Sequence, residues 1–587
     1  MSLSLSSIAR IVESIVYTPT YTLLGVDARG RIIYETMEGG FKSIWALEPG
    51  GARKRLVNRV VHWSGEVSKD RTRIPFTVDV GRGREQQVLG YVGLSSDRET
   101  VLEGMEPVRV LGFVDSGKAI AFAGATATDI ALYLAKDGSV EKLVKLDTYV
   151  HVTDFDGNII VGSGHLAKNP RSSEIFIYSI NDGKLHVFTP REGSVNENPI
   201  IIGNGKVLFE TNAFDPDYKE LMVLDVERNE AEKLRLEGKD YYNYKPVEHL
   251  YYRRFGDKLV VVGKKNGESR IFIDGFEVKT PKGMIHNAYL IDNTVYYTYS
   301  SLVVPTRIMK HVDGRNEEVI GAKLDKEIEN AFGEVKFVKV KSFDGLEIPA
   351  FVITSRKVES TRTVVVYVHG GPWWETANEW NTRIAPLVAA GFNVIAPNFR
   401  GSTGYGERFR LLDIGDPGGG DLQDVVYVAR WALENGLGEK VFIWGYSYGG
   451  YMTLLTMFRY PDLFKCGVAG APVADWEEMY ELSDAVFREF INILFDNRRE
   501  LWKERSPSTY AENLKNPLCI IEPQNDSRTP LKPVLNLVEK LMKAGKTFEL
   551  HVLPEAGHAI TVPDKLAWIL TIMLNFFSKC LERKDIE

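Results

Sequence analysis

The chain has 587 residues, a formal net charge of −7 and 44% hydrophobic residues, too long for one typical domain of ~100–200 residues and rich enough for two cores. It carries no dense Lys/Arg block, which removes nucleic acid as an implied partner. The longest apolar stretch, Leu566 to Phe577, is too short to span a bilayer and is broken by Thr571 and Asn575, so a soluble protein with no membrane partner is expected.

In chain order, Ile8, Ile11, Val12, Ile15 and Val16 recur at helical spacing, with Ser6 or Ser7 able to cap the helix and Pro19 beyond its end. Helical periodicity then disappears from about 21 to 327. Short alternating β-type runs take over, with turn signals at Pro49-Gly50, Ser96-Asp97, Asp137-Gly138, Asp182-Gly183, Arg228-Asn229, Asp274-Gly275 and Asp313-Gly314. These turns are about 39 to 47 residues apart, the span of a four-stranded propeller blade. The pattern predicts a seven-bladed β-propeller over 21–327, followed by a doubly wound α/β domain over 328–587. The helix of residues 1–20 has no place in a propeller and is expected to pack back on the second domain.

In that domain, Val364 to Val368 reads as a buried parallel strand and runs into His369-Gly370-Gly371-Pro372. His-Gly-Gly after a strand resembles a loop whose backbone N–H points at a developing oxyanion, and His369 is read as shaping that loop. The apolar run Val441 to Trp444 then enters Gly445-Tyr446-Ser447-Tyr448-Gly449, a G-x-S-x-G nucleophile elbow. Gly371 and Tyr448 are the expected backbone donors of the oxyanion hole. Between Pro472 and Leu501, Trp476, Tyr480, Phe487, Phe490 and Phe495 form an aromatic stretch. Trp476 and Phe490 are candidate walls of a substrate pocket favouring an apolar side chain; plain helix packing is the competing reading for each.

The strand Leu518 to Ile521 leads to Asp526 on a loop, and the strand Phe548 to Leu553 leads to His558 on the next. Order and placement match the Ser, acid, His sequence of an α/β-hydrolase, with Ser447 as nucleophile, His558 as general base and Asp526 as its orienting acid. Arg528 follows the acid closely enough to face the cleft, where it either holds a substrate carbonyl or carboxylate or pairs with a surface Asp. His551 lies within its strand and is read as structural. Cys466, Cys519 and Cys580 read as dispersed buried thiols with no metal spacing. A disulfide between two of them remains open, but sparse usage favours a reducing, cytoplasmic setting.

A propeller of this length followed by Gly445-Tyr-Ser-Tyr-Gly-Gly-Tyr451 resembles the prolyl oligopeptidase family of serine peptidases, as do Asn398 to Gly406 and Gly418 to Asp424. His-Gly-Gly-Pro at 369–372 and Asp526 to Pro530 are similar to its acylaminoacyl-peptidase branch. The resemblance implies release of an N-acylated amino acid from short peptides, with endopeptidase or esterase side activity, beneath a propeller that admits only small or unfolded peptides. It implies no cofactor and no metal. Edge strands in both domains leave a homodimer open. A dipeptidyl peptidase of the same family needs acidic residues on the propeller side, for which Glu85 and Glu103 to Glu106 are candidates. A carboxylesterase is the remaining alternative, and the repeat region argues against it.

Overall fold

The computed structural model describes residues 4–582. Seven small antiparallel sheets follow one another along the chain, and an eight-stranded sheet closes it, giving the expected propeller and α/β-hydrolase fold. Every turn signal read from the sequence lies between the last two strands of its blade. Asp137-Gly138, Asp274-Gly275 and Asp313-Gly314 each take positive φ at both residues, the twist that joins antiparallel strands by a two-residue loop.

Blade 2 has only three full strands, Arg73–Asp79, Gln87–Gly93 and Arg98–Val101. Its innermost strand shrinks to an isolated bridge, Ser64 to Phe76, lengthened by bonds such as His62 N–H to Thr77 O at 2.8 Å. Each blade is built from consecutive strands, so no strand exchange closes the ring. Blades 1 and 7 meet through packing of Tyr21, Leu23, Tyr34, Tyr289 and Ile308. Polar bonds reinforce the seam, among them Tyr21 N–H to Thr306 O at 3.0 Å, Leu23 N–H to Thr298 Oγ1 at 2.9 Å and Asn287 Nδ2 to Leu23 O at 2.7 Å.

Because strands alternate in direction, the hairpins joining the second and third strands of the blades lie opposite the Asp-Gly turns, and these face the hydrolase domain. Lys42 N–H of blade 1 meets Thr561 O at 3.0 Å, and Arg171 Nη2 of blade 4 meets Ile414 O at 2.8 Å. Asp217 O of blade 5 accepts from Glu407 N–H at 2.6 Å, and Gly267 O of blade 6 accepts from Asn378 N–H at 2.8 Å.

The large sheet runs in the order Phe332–Lys341, Glu347–Ser355, Asn393–Pro397, Thr363–Val368, Lys440–Tyr446, Phe464–Gly470, Leu518–Pro523 and Phe548–Leu553. From Asn393–Pro397 onward all neighbours are parallel. Strand order reverses after Thr363–Val368, so the loops after this strand and after Lys440–Tyr446 open at a topological switch point, where open α/β sheets form their crevice.

The amino-terminal helix Leu5–Val16 buries Ile8, Ile11, Val12 and Ile15 in one cluster with Ile569, Met573 and Phe577 of the carboxyl-terminal helix Pro563–Glu582. Its cap is Ser4, which accepts from Ser7 N–H at 3.1 Å, rather than Ser6 or Ser7. The cysteine reading needs a firmer correction. Cys466 and Cys580 form a disulfide with Cα atoms 6.4 Å apart across a separation of 114 residues, leaving Cys519 as the free thiol. Sequence distance hid the pair, because only packing of the last helix on the strand Phe464–Gly470 brings the two together. With two of the three cysteines paired, sparse cysteine usage no longer points to a reducing compartment. No helix among the described residues is long and apolar enough to cross a membrane.

Candidate active site

Ser447 stands between the strand Lys440–Tyr446 and the helix Tyr448–Arg459 with φ 60° and ψ −123°, the sparsely populated backbone of a nucleophile elbow. The flanking glycines are needed for space. A Cβ at Gly445 would lie 2.2 Å from Gly449 O, and one at Gly449 would lie 2.0 Å from Val368 O. Ser447 N–H is tied to Gly470 O at 2.9 Å, so the strained turn is held from the neighbouring strand as well.

The three residues expected to converge do so. His558 Nε2 lies 2.9 Å from Ser447 Oγ, and His558 Nδ1 lies 2.7 Å from Asp526 Oδ2. Asp526 Oδ1 accepts from the N–H groups of Arg528 and Thr529 at 2.8 and 2.9 Å, which fixes the carboxylate plane. The imidazole is largely buried, and Tyr446 Oη donates to His558 O at 3.0 Å. Burial disfavours the imidazolium and pulls the His558 pKa below its ordinary value; the Asp526 carboxylate opposes this, while Arg528 and Arg383 add to it. A neutral imidazole between a hydroxyl and a carboxylate can accept the hydroxyl proton and keep the resulting charge stabilised.

The loop after Val368 lies directly over the serine. A Cβ at Gly370 would sit 3.3 Å from Ser447 Cβ, and Gly371 takes φ 120°. His369 shapes this loop: Nδ1 bonds Gly370 O at 2.7 Å, Nε2 bonds Ser402 Oγ at 2.9 Å, and the ring stacks on Phe399 at 4.4 Å. Burial pulls its pKa down to about 4, so it stays neutral. Tyr448 opens the helix, where the first backbone N–H groups lack intrahelical acceptors. Its hydroxyl donates to Asp421 at 2.5 Å, and Asp424 binds Arg400 through Nε at 2.9 Å and Nη2 at 2.8 Å. The segments 398–406 and 418–424 thus buttress the elbow from below.

The candidate pocket residues fare differently. Trp476 has no exposed surface and packs edge-on between Tyr451 and Phe495, so it is core rather than pocket wall. Its helix folds back on the nucleophile helix, and that packing accounts for its aromaticity. Phe490 is half-buried and meets Trp373, just past the glycine loop, at 5.6 Å and Phe487 at 5.8 Å. Arg528 is taken up by an ion pair, and its partner is a propeller residue rather than a surface Asp. Its Nε and Nη2 reach Glu85 Oε1 at 2.8 and 2.7 Å. Glu85 also binds Arg109, which holds Asp484 at 2.6 Å and Ser527 Oγ at 3.0 Å.

Glu85 is a candidate acid in the sequence, but nothing there signals that the hairpin Val80 to Gln86 that carries it reaches the triad loops. Asp79 shapes its tip by accepting from Gly81, Gly83 and Gln86 N–H at 2.8, 2.6 and 3.1 Å. A Cβ at Gly83 would fall 2.5 Å from Gly557 N, and Arg82 O accepts from Asn525 Nδ2 at 2.7 Å. This propeller hairpin therefore touches both loops that carry Asp526 and His558. A cavity of about 1290 Å³ runs from the propeller axis to Arg109, Phe487 and Arg528. Glu522, one strand position from the acid loop, is fully buried with neither oxygen bonded, and burial and the nearby Asp526 charge hold its pKa well above the usual range.

Residues 32–309 match the model of an "Acylamino-acid-releasing enzyme-like, N-terminal domain" and residues 378–584 match that of the "Prolyl oligopeptidase family". Together the two matches liken the chain to the prolyl oligopeptidase family. Among relatives, a dipeptidyl aminopeptidase BIII of Pseudoxanthomonas mexicana is 29% identical over 38% of this chain and 34% of its own. An acylamino-acid-releasing enzyme of Sus scrofa is 28% identical over 37% of this chain and 32% of its own. The matched stretch thus spans about a third of these relatives' length. A Pyrococcus horikoshii acylaminoacyl peptidase structure shares the fold over 98% of both chains, with a TM-score of 0.72 at 18% identity.

Proposed function

We propose that this protein is a serine peptidase of the prolyl oligopeptidase family that releases N-acylated amino acids from short peptides. Ser447 attacks the scissile carbonyl, His558 takes its proton and later passes it to the leaving amine, and Asp526 holds the imidazole. The N–H groups of Gly371 and Tyr448 receive the oxyanion; losing one such donor typically costs ~10²–10³ in turnover. The propeller over the cavity keeps water and folded chains from the acyl-enzyme. Phe490, with Phe487 and Trp373, supplies the apolar wall.

One observation carries the preference for a blocked amino terminus. Glu85, a propeller acid that reaches the loop carrying Asp526, is buried and engaged by both Arg109 and Arg528. A carboxylate neutralised by two guanidiniums offers little to a free α-ammonium group, whose desolvation would go uncompensated. The opposing reading, a dipeptidyl peptidase, requires that same Glu85 to let go of its arginines. Kinetics on an acetylated amino-acid anilide and its free-amine counterpart test the choice. The blocked substrate is expected to be favoured by at least about tenfold in kcat/KM, roughly 1.4 kcal/mol of transition-state preference. Equal or reversed rates move the assignment to the dipeptidyl reading. Ser447→Ala is expected to remove ~10⁶ of turnover on either substrate.

A further inference from the structure

At the opposite end of the strands from the triad, three potential ligands of different softness come together. Cys519 on the strand Leu518–Pro523 pairs in register with Glu549 on Phe548–Leu553, and Ile521 pairs with His551. Side chains two apart on a strand share a face, so Glu549 and His551 stand side by side next to the thiol. The Cys519 sulfur, a Glu549 oxygen and a His551 ring nitrogen all lie within 4.8 Å of one another. His551 Nε2 is already 3.1 Å from Glu549 Oε2.

We propose that Cys519, Glu549 and His551 form a binding site for a tetrahedral divalent transition metal of the Zn²⁺ type, unrelated to the peptidase chemistry. One thiolate, one imidazole and one carboxylate are the donor types that Zn²⁺ and Co²⁺ accept. Three protein ligands leave a fourth position for water, and the half-exposed Glu549 and His551 side chains, at 33% and 36%, leave an entry path. Cys519 is buried beneath them and is the chain's free thiol. Binding breaks the S–H bond and releases that proton to solvent; the His551 proton that faces Glu549 on Nε2 shifts to the Nδ1 tautomer, which frees the Nε2 lone pair for the metal. Lys579 of the last helix, 2.9 Å from Glu549 Oε1, is the competing cation and must swing outward. Its side chain is 54% exposed and free to do so. The spacing escapes a motif search because the ligands come from two strands 30 residues apart. Bridging the two strands would clamp the edge of the sheet that delivers the acid and base loops.

The test uses the full-length protein, stripped with a chelator and titrated with Co²⁺ and then Zn²⁺. A thiolate-to-cobalt charge-transfer band is expected to saturate at one equivalent and to vanish on adding Zn²⁺. The His558–Asp526 pair cannot produce it, having no thiol. Cys519→Ser should abolish the band. His551→Ala, at a partly exposed position, should weaken Co²⁺ affinity by more than the roughly 10–100-fold typical of losing an outer partner, and Lys579→Ala should tighten it. Absence of the band in the wild-type protein, or a band of unchanged affinity in His551→Ala, overturns the site even if Cys519→Ser fails to fold.

Discussion

Ser447, His558 and Asp526 were legible because each sits in the first turn or loop after an apolar strand, and the α/β-hydrolase fold orders such loops by chain position. What the order could not convey is the state of each group. His558 is buried enough that its pKa falls below the ordinary histidine value of 6.5. A general base must be neutral, so the acid limb of the pH profile of kcat/KM reports where the imidazole loses its proton. That limb is expected below pH ~6.5; a midpoint at or above 7 in wild-type protein contradicts the buried imidazole. Glu522 poses the complementary case. Burial and the nearby Asp526 charge hold its folded pKa well above the ordinary carboxyl value of 4.5, so the native state holds a proton that the unfolded chain releases as pH rises. Stability from this position is therefore lost as pH climbs above the unfolded value. Glu522→Gln, which keeps shape and neutrality, should raise Tm relative to wild type at pH 8 and give no difference near pH 4. A Tm difference independent of pH would mean that Glu522 is not protonated in the fold.

Among the elements, the turns between the last two strands of each blade, four of them Asp-Gly, gave away the seven blades while the hairpins at the other end of the ring stayed hidden. The reason is physical: a two-residue turn with two positive φ values demands Asn, Asp or Gly, whereas a longer loop braced by another domain can take almost any residue; blade 6 is the exception, since Asn266-Gly267 on the hydrolase side also takes positive φ at both residues. The hairpin 80–86 is such a loop, and so the contact of Glu85 with Arg528 and of Gly83 with Gly557 could not be read beforehand. Aromatic counting failed for a related reason, since the helices 476–494 bury Trp476 in a local core while leaving Phe490 half-buried against Trp373. Gly83 offers a sharp test of what the hairpin does. An alanine there places its Cβ against backbone that cannot retreat without moving the His558 loop. A displacement near 1 Å at the reacting groups costs ~10²-fold, so Gly83→Ala should lower kcat/KM by about that factor with a modest change in Tm. Gly138→Ala carries the same φ penalty at +81° but meets nothing within 4 Å, and it serves as the control. Equal activity in the two variants would show that the hairpin does not position the triad.

At the scale of the whole molecule, both ends of the unclosed ring are fastened to the hydrolase domain. The chain enters blade 1 directly from the helix Leu5–Val16, and it leaves blade 7 through the helix Lys326–Ala331, whose Ile328 and Ala331 join the same apolar cluster. Arg10 and Glu327 of the two helices pair at 2.8 Å, an exposed contact of little energetic weight. The fastening is therefore apolar, and Ile15, with no exposed surface, is central to it. Truncating a buried isoleucine to alanine costs ~2–5 kcal/mol. If the helix only decorates the hydrolase domain, Ile15→Ala should loosen that helix and nothing beyond it. If it pins the seam, the loss propagates through Tyr21 and Leu23 to the junction of blades 1 and 7, where packing rather than strand exchange holds the ring. Hydrogen exchange in Ile15→Ala is then expected to quicken in Thr22–Val26 and Val304–Val312 while the outer strands of blades 3 to 5 keep their protection. Faster exchange confined to residues 5–16 would show that the ring stays shut without its tether.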